Sequence, residues 1–101
     1  MNLEIAVERL YETGWIPSVE QDLRRLPDGR SYPSPQSIQV EFTRAGLTLA
    51  IKHNLIFGCH RATWDPGSLP GGTVVGSCEE EAAVFALAQL RSAQLEQTVN
   101  S

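Results

Sequence analysis

"SIQVEFTRAGLTLAIKHN" occupies residues 37–54, and its reading decides the fold. Ile38, Val40 and Phe42 alternate with Gln39, Glu41 and Thr43, the two-residue period of a strand with one buried face. "RAG", residues 44–46, then supplies a turn, with Gly46 free to take a positive φ. Leu47, Leu49 and Ile51 resume the inward face, with Thr48, Ala50 and Lys52 opposite. The pattern predicts an antiparallel hairpin. "LIFGCHRATW", residues 55–64, predicts a further strand bent at Gly58. His53 and Asn54 form either a tight turn or the middle of one long strand.

Upstream, Leu3, Ala6, Val7 and Leu10 fall at i, i+3, i+4 and i+7, which predicts an amphipathic helix over residues 2–13. Asn2 is placed to cap it and Gly14 to close it, after which Trp15 and Ile16 fold back onto the core. A shorter helix is expected from Ser18 to Leu26, with Ser18 and Gln21 as a capping box and Val19, Leu23 and Leu26 on one face. Pro27 stops it and "PDG" turns the chain. "RSYPSP", residues 30–35, reads as a linker kept out of the sheet by its prolines. Downstream, "DPGSLPGG" (65–72) is loop, and Thr73–Val75 is a short last strand. Ser77 caps a final helix, with Glu80 completing the box, that runs to about Glu96 and leaves 96–101 as a frayed tail. The expectation is one α+β domain over 1–101, in the order α-α-β-β-β-(β)-α. Three or four antiparallel strands carry helices on one face and leave the other partly open to water.

The chain has 101 residues, 42% hydrophobic and 20% charged, which suits one packed core and excludes bulk disorder. Its net charge of −4 argues against nucleic acid as the main partner. No apolar run approaches the roughly 20 residues that cross a bilayer, and "MNLEIAVERL" has glutamates where a signal peptide has lysines. The expectation is a soluble cytoplasmic protein with no membrane partner. Cys59 and Cys78 are too few for a disulfide framework and read as buried thiols.

Few constellations carry chemistry. Cys59 and His60 are adjacent, so on a strand they point to opposite faces and cannot easily share an ion. No C-x-x-C or H-x-x-x-H spacing occurs, so no metal site is expected. Cys59, Cys78, His53 and His60 show no spacing that builds a nucleophile and its base, so no enzyme and no cofactor is expected. Glu79, Glu80 and Glu81 match the helix dipole rather than forming a cation or acid site. "GTVVGS" lacks the lysine of a P-loop and the third glycine of a dinucleotide fold. What remains is a polar surface on the exposed hairpin face, with Gln39, Glu41, Thr43, Thr48 and Lys52. Arg44 stands at its turn and Arg61 beside it. Trp15, Tyr32 and Trp64, near element ends, are core lids or interface anchors. Arg44, Lys52, Arg61 and Trp64 are therefore the expected partner-binding residues. "AAVFALA", 82–88, wraps most of a helix circumference, so it is either sandwiched internally or meets another chain.

The stretch "TVVGSCEEEAAVFALAQLRSAQ", 73–94, runs from a strand through a glycine turn into a capped, alanine-rich helix. In this, and in the order helix, three strands, helix, the chain resembles the double-stranded RNA-binding domain. Ser77, Glu80, Ala86, Ala88 and Leu90 occupy the matching cap and core positions. The family's RNA-contacting lysines fall at Cys78, Glu79 and Ala82, none of them basic, and "TRAG" (43–46) replaces its proline-histidine loop. The resemblance thus implies the fold without its usual ligand, and a role in protein contact or dimerisation. The function expected is a non-enzymatic protein-interaction module. A nucleic-acid-binding domain using the open sheet face is the alternative.

Overall fold

A computed structural model describes residues 3–18, 22–65 and 72–99. The chain begins with α1 (Leu3–Glu12), which buries Ala6, Val7 and Leu10 as its spacing requires. Gly14 ends it, donating to the Tyr11 carbonyl. Trp15 then turns into the core, but Ile16 stays 77% exposed and does not fold back with it.

The second helix expected over residues 18–26 is absent at its described end. Leu23–Arg25 is a strand, β1, paired antiparallel with β2 (Ser31–Pro33). "PDG" is a turn, as expected, but it closes a hairpin. The Leu26 N–H donates to the Arg30 carbonyl and the Gly29 N–H to the Leu26 carbonyl. Asp28 accepts from both the backbone and the guanidinium of Arg30, which holds its carboxyl below the usual range. Most of the expected Ser18–Gln21 box and Val19 lie outside the described residues. Residues 30–35 are not a linker, since they contain β2 and the start of the next helix.

The largest correction concerns residues 38–43. They are not a strand but the body of α2 (Pro35–Arg44). Ser34 has extended backbone and its Oγ accepts from the Ser37 N–H, while Pro35 fills the first helical turn, where a missing N–H costs nothing. Ile38 and Phe42 are four apart and fully buried, whereas Val40 is 50% exposed. Only two of the three alternating residues face inward, and they lie on one helical face. Gly46 takes the positive φ expected of it, +81°, but closes this helix instead of a hairpin. The Leu47 N–H reaches back to the Phe42 carbonyl and the Gly46 N–H to that of Thr43, the paired bonds of a Schellman end.

The sheet is an antiparallel meander of β3 (Thr48–Asn54), β4 (Cys59–Asp65) and β5 (Gly72–Gly76). Leu47 and Leu49 are buried and Ile51 is half-buried, as the alternation predicts. The segment 55–64 is not one bent strand: Leu55–Gly58 is the β3–β4 turn, and His53 and Asn54 end β3. The element order among the described residues is therefore α-β-β-α-β-β-β-α, an α+β fold with a two-stranded ribbon added to the three-stranded sheet.

The final helix, α3 (Glu79–Val99), lies over one face of the meander and packs along α1 and α2. Its backbone continues past Glu96 into the expected tail. Most of the apolar run is consumed internally: Ala82, Ala83, Val84, Ala86, Leu87 and Ala88 are buried, and Phe85 is half-buried. Phe42 and Trp64 join α2 to the sheet, their ring centroids 5.5 Å apart.

The helical reading of α2 separates two neighbours. Ile38→Ala should cost about 2–5 kcal/mol, whereas Val40→Ala should cost less than about 0.5 kcal/mol. Urea unfolding of the two variants checks this, and equal losses would restore the strand.

Candidate functional site

Register decides what the sheet presents. Lys52 pairs with Arg61, and Arg61 with Val75 on its other side. Thr48, Ala50 and Lys52 on β3, Arg61 and Thr63 on β4, and Thr73 and Val75 on β5 are all exposed. They form the face opposite α3. Two cations thus stand side by side on adjacent strands, an arrangement that costs energy when nothing neutralises it. Among the described side chains, neither enters an ion pair.

The strands end in a turn of unusual composition. Leu55, Ile56 and Phe57 are 83%, 87% and 77% exposed. The turn is nonetheless well tied. Asn54 Oδ1 accepts from the N–H groups of Ile56 and Phe57, and Gly58, at φ +64°, donates to the Asn54 carbonyl. With the backbone donors satisfied locally, the three apolar side chains are left to project. Leu55, Ile56, Lys52, Arg61, His53 and Asn54 border a concavity of about 480 Å³. One wall is apolar and another is cationic.

On the opposite side of the hairpin, His53 and His60 pair across the strands and stack, with centroids 4.3 Å apart and planes 4° from parallel. The Nδ1 of His60 is buried without a hydrogen-bond partner. No cluster of three His, Cys, Asp or Glu side chains able to hold a metal occurs among the described residues. Cys59 and Cys78 are free and half-buried, more open than buried thiols would be.

Of the four residues expected to bind a partner, the structure unites only Lys52 and Arg61. Arg44 ends α2 and borders a separate groove with Trp15, Ile16, Glu41 and Arg91. The strand start at Thr48 is already about 13 Å from Lys52 at the usual rise. Trp64 is 6% exposed, and a Cβ at Gly72 would come within 2.3 Å of its ring, so it is a core residue. Trp15 and Tyr32 are buried too. Gln39, Glu41 and Thr43 belong to α2 and not to the sheet face. The apolar turn was missed because its hydrophobicity imitates a strand. Asn54 and Gly58, which bracket it, carry the turn signal.

The start of α3 is a fastener, shifted one residue from the expected box. Glu81, not Glu80, reaches back: its Oε2 accepts from the Ser77 N–H at 2.7 Å and the Ser77 hydroxyl at 2.8 Å. The Cys78 Sγ takes the cap position, accepting from the Glu81 N–H at 3.4 Å. A Cβ on Gly76 would lie 2.6 Å from the Ala82 nitrogen, so only glycine lets the strand end seat here. Glu80 instead pairs with Arg24 at 2.9 Å and ties β1 to the helix. Burial pushes the nearby Tyr32 phenol above its usual range, with Glu80 adding to the effect.

Compared with known proteins, the chain matches no family model, no curated protein and no solved structure.

Glu81 is fully buried, so Glu81→Ala removes two bonds from an enclosed site and should cost about 2–3 kcal/mol. Glu80→Ala breaks a partly exposed pair and should cost at most about 1 kcal/mol. Thermal unfolding of both variants tests the order, and a reversed ranking would return the box to Glu80.

Proposed function

We propose that this chain is a non-enzymatic protein-interaction module that docks through the end of the β3–β4 hairpin. One observation carries the reading: three consecutive large apolar side chains stand exposed on a turn whose backbone is tied. A contiguous apolar patch on a soluble domain marks a contact surface far more often than scattered single residues do. The His53–His60 stack and the Asn54 turn bonds hold the trio in place before contact, which lowers the ordering cost of binding.

Magnitudes say how such a tip would be used. Burying the three side chains yields roughly 5–9 kcal/mol, at about 1.5–3 each. Association itself costs about 4–15 kcal/mol. The tip alone therefore supports a weak encounter, and a stable complex draws on the adjoining open face as well. That face offers small residues and the Lys52–Arg61 pair.

Nucleic acid fits less well. Two adjacent cations fall short of the roughly 6–10 phosphate contacts that drive strong electrostatic binding. Among the described residues the strands of the open face carry no exposed aromatic for base stacking, Phe57 lying on the turn beyond them. The α3 start, where the family resembled would place lysines, holds Cys78, Glu79 and a buried Ala82. Two free thiols fit a reducing compartment, which favours the cytoplasm. No helix among the described residues is long and apolar enough to cross a membrane. A second copy of this chain is one protein partner the surface admits. Six of the seven residues of the α3 run are already buried, so such a dimer would form chiefly through the hairpin.

Ile56→Asp places a charge at the most exposed point of the tip. It should leave the unfolding midpoint within about 2 °C of wild type while abolishing association, read by partner capture or light scattering. Capture of the same partner at unchanged strength would overturn the proposal.

A further inference from the structure

The concavity behind the tip gives the partner a chemistry. We infer that it receives a short segment of a partner protein in which an acidic side chain lies beside a large apolar one. This rests on the reading of the hairpin as the docking element. Leu55 and Ile56 form its apolar wall, and Lys52 and Arg61 form a charged one. The cross-strand register holds these two like charges together. Among the described side chains, neither meets a carboxylate in an ion pair. A carboxylate entering the concavity would remove their mutual repulsion, and its apolar neighbour would cover Leu55 and Ile56.

Charge counting separates this occupant from the others. Anionic lipid surfaces are held by clusters of roughly 4–8 Lys or Arg, whereas this site presents two on a chain of net charge −4. A single carboxylate needs no more than two cations, and an arginine can engage it bidentately. The volume, about 480 Å³, suits one or two side chains. Beyond it the small residues Ala50, Thr63 and Thr73 let a main chain approach the sheet face closely.

The test is a selection of displayed random peptides, roughly twelve residues long, on the whole chain. Wild type, Lys52→Glu/Arg61→Glu and Ile56→Asp are used as baits, each verified as folded by circular dichroism. Wild type should enrich peptides carrying Asp or Glu next to Leu, Ile or Phe. A synthetic winner should bind about tenfold more tightly than its Asn/Gln counterpart, and weaken as salt rises from about 50 to 500 mM. Lys52→Glu/Arg61→Glu should lose that peptide and enrich basic ones. Enrichment without acidic preference, or unchanged in the double variant, overturns the inference; if Ile56→Asp still abolishes it, the hairpin reading stands. Enrichment unchanged by Ile56→Asp overturns both. No enrichment at all overturns the peptide assignment. So does binding to phosphatidylserine vesicles that Ile56→Asp removes, which makes lipid the occupant. A dimer that Lys52→Glu/Arg61→Glu dissolves makes a second copy the occupant and equally overturns it.

Discussion

The structure depends on how closely α3 can approach its neighbours. Ala82, Ala83, Ala86 and Ala88 give the helix little girth, so the sheet lies against one side of it and α1 and α2 against the others. Val84 and Leu87 fill the remaining space. The same close approach reaches the strand before it, where Gly76 leaves room for the Ala82 backbone. At Gly76 an added methyl group would meet that backbone, so none fits there without displacement. A carboxylate is enclosed in the process: Glu81 is buried, with one oxygen serving Ser77 and the other without a partner.

What α3 covers also defines what it leaves bare. Burial fades along β3, from Leu49 in the core through half-buried Ile51 to exposed His53. The hairpin thus runs beyond the cover of the helices, and Leu55, Ile56 and Phe57 of its turn stay exposed among the described residues. A polar turn there would be unremarkable. Three large apolar residues on a turn secured by Asn54 are a different matter, because the fold gains nothing from them. That exposed hydrophobicity is what the proposed docking role rests on.

The two halves of the fold differed in how far sequence could be read. α1 and the inward face of β3 follow from spacing, β5 from its short apolar run after a loop, and α3 from a capped start before a long apolar run. The segment 38–43 satisfied two periods at once. Ile38, Val40 and Phe42 alternate as a strand would, yet Ile38 and Phe42 alone form a helical stripe. The deciding signals were Ser34 and Pro35, a cap and a first-turn proline lying just outside the pattern. Their weight was hidden because the prolines around them also suit a linker. Residues 23–25 erred the other way, since "PDG" serves equally as a helix stop and as a hairpin turn.

The same division holds for the candidate site. Local chemistry determined the α+β class, the capped start of α3 with its acidic first turn, and the exposure of Lys52. Only the tertiary structure decided that Lys52 stands beside Arg61, that Arg44 belongs to a different groove, and that Trp64 closes the core. It alone showed that Leu55–Phe57 face solvent. The reason is physical. Caps and periodicity act over three or four residues, whereas register and cover depend on which surfaces remain once every element has found its partner.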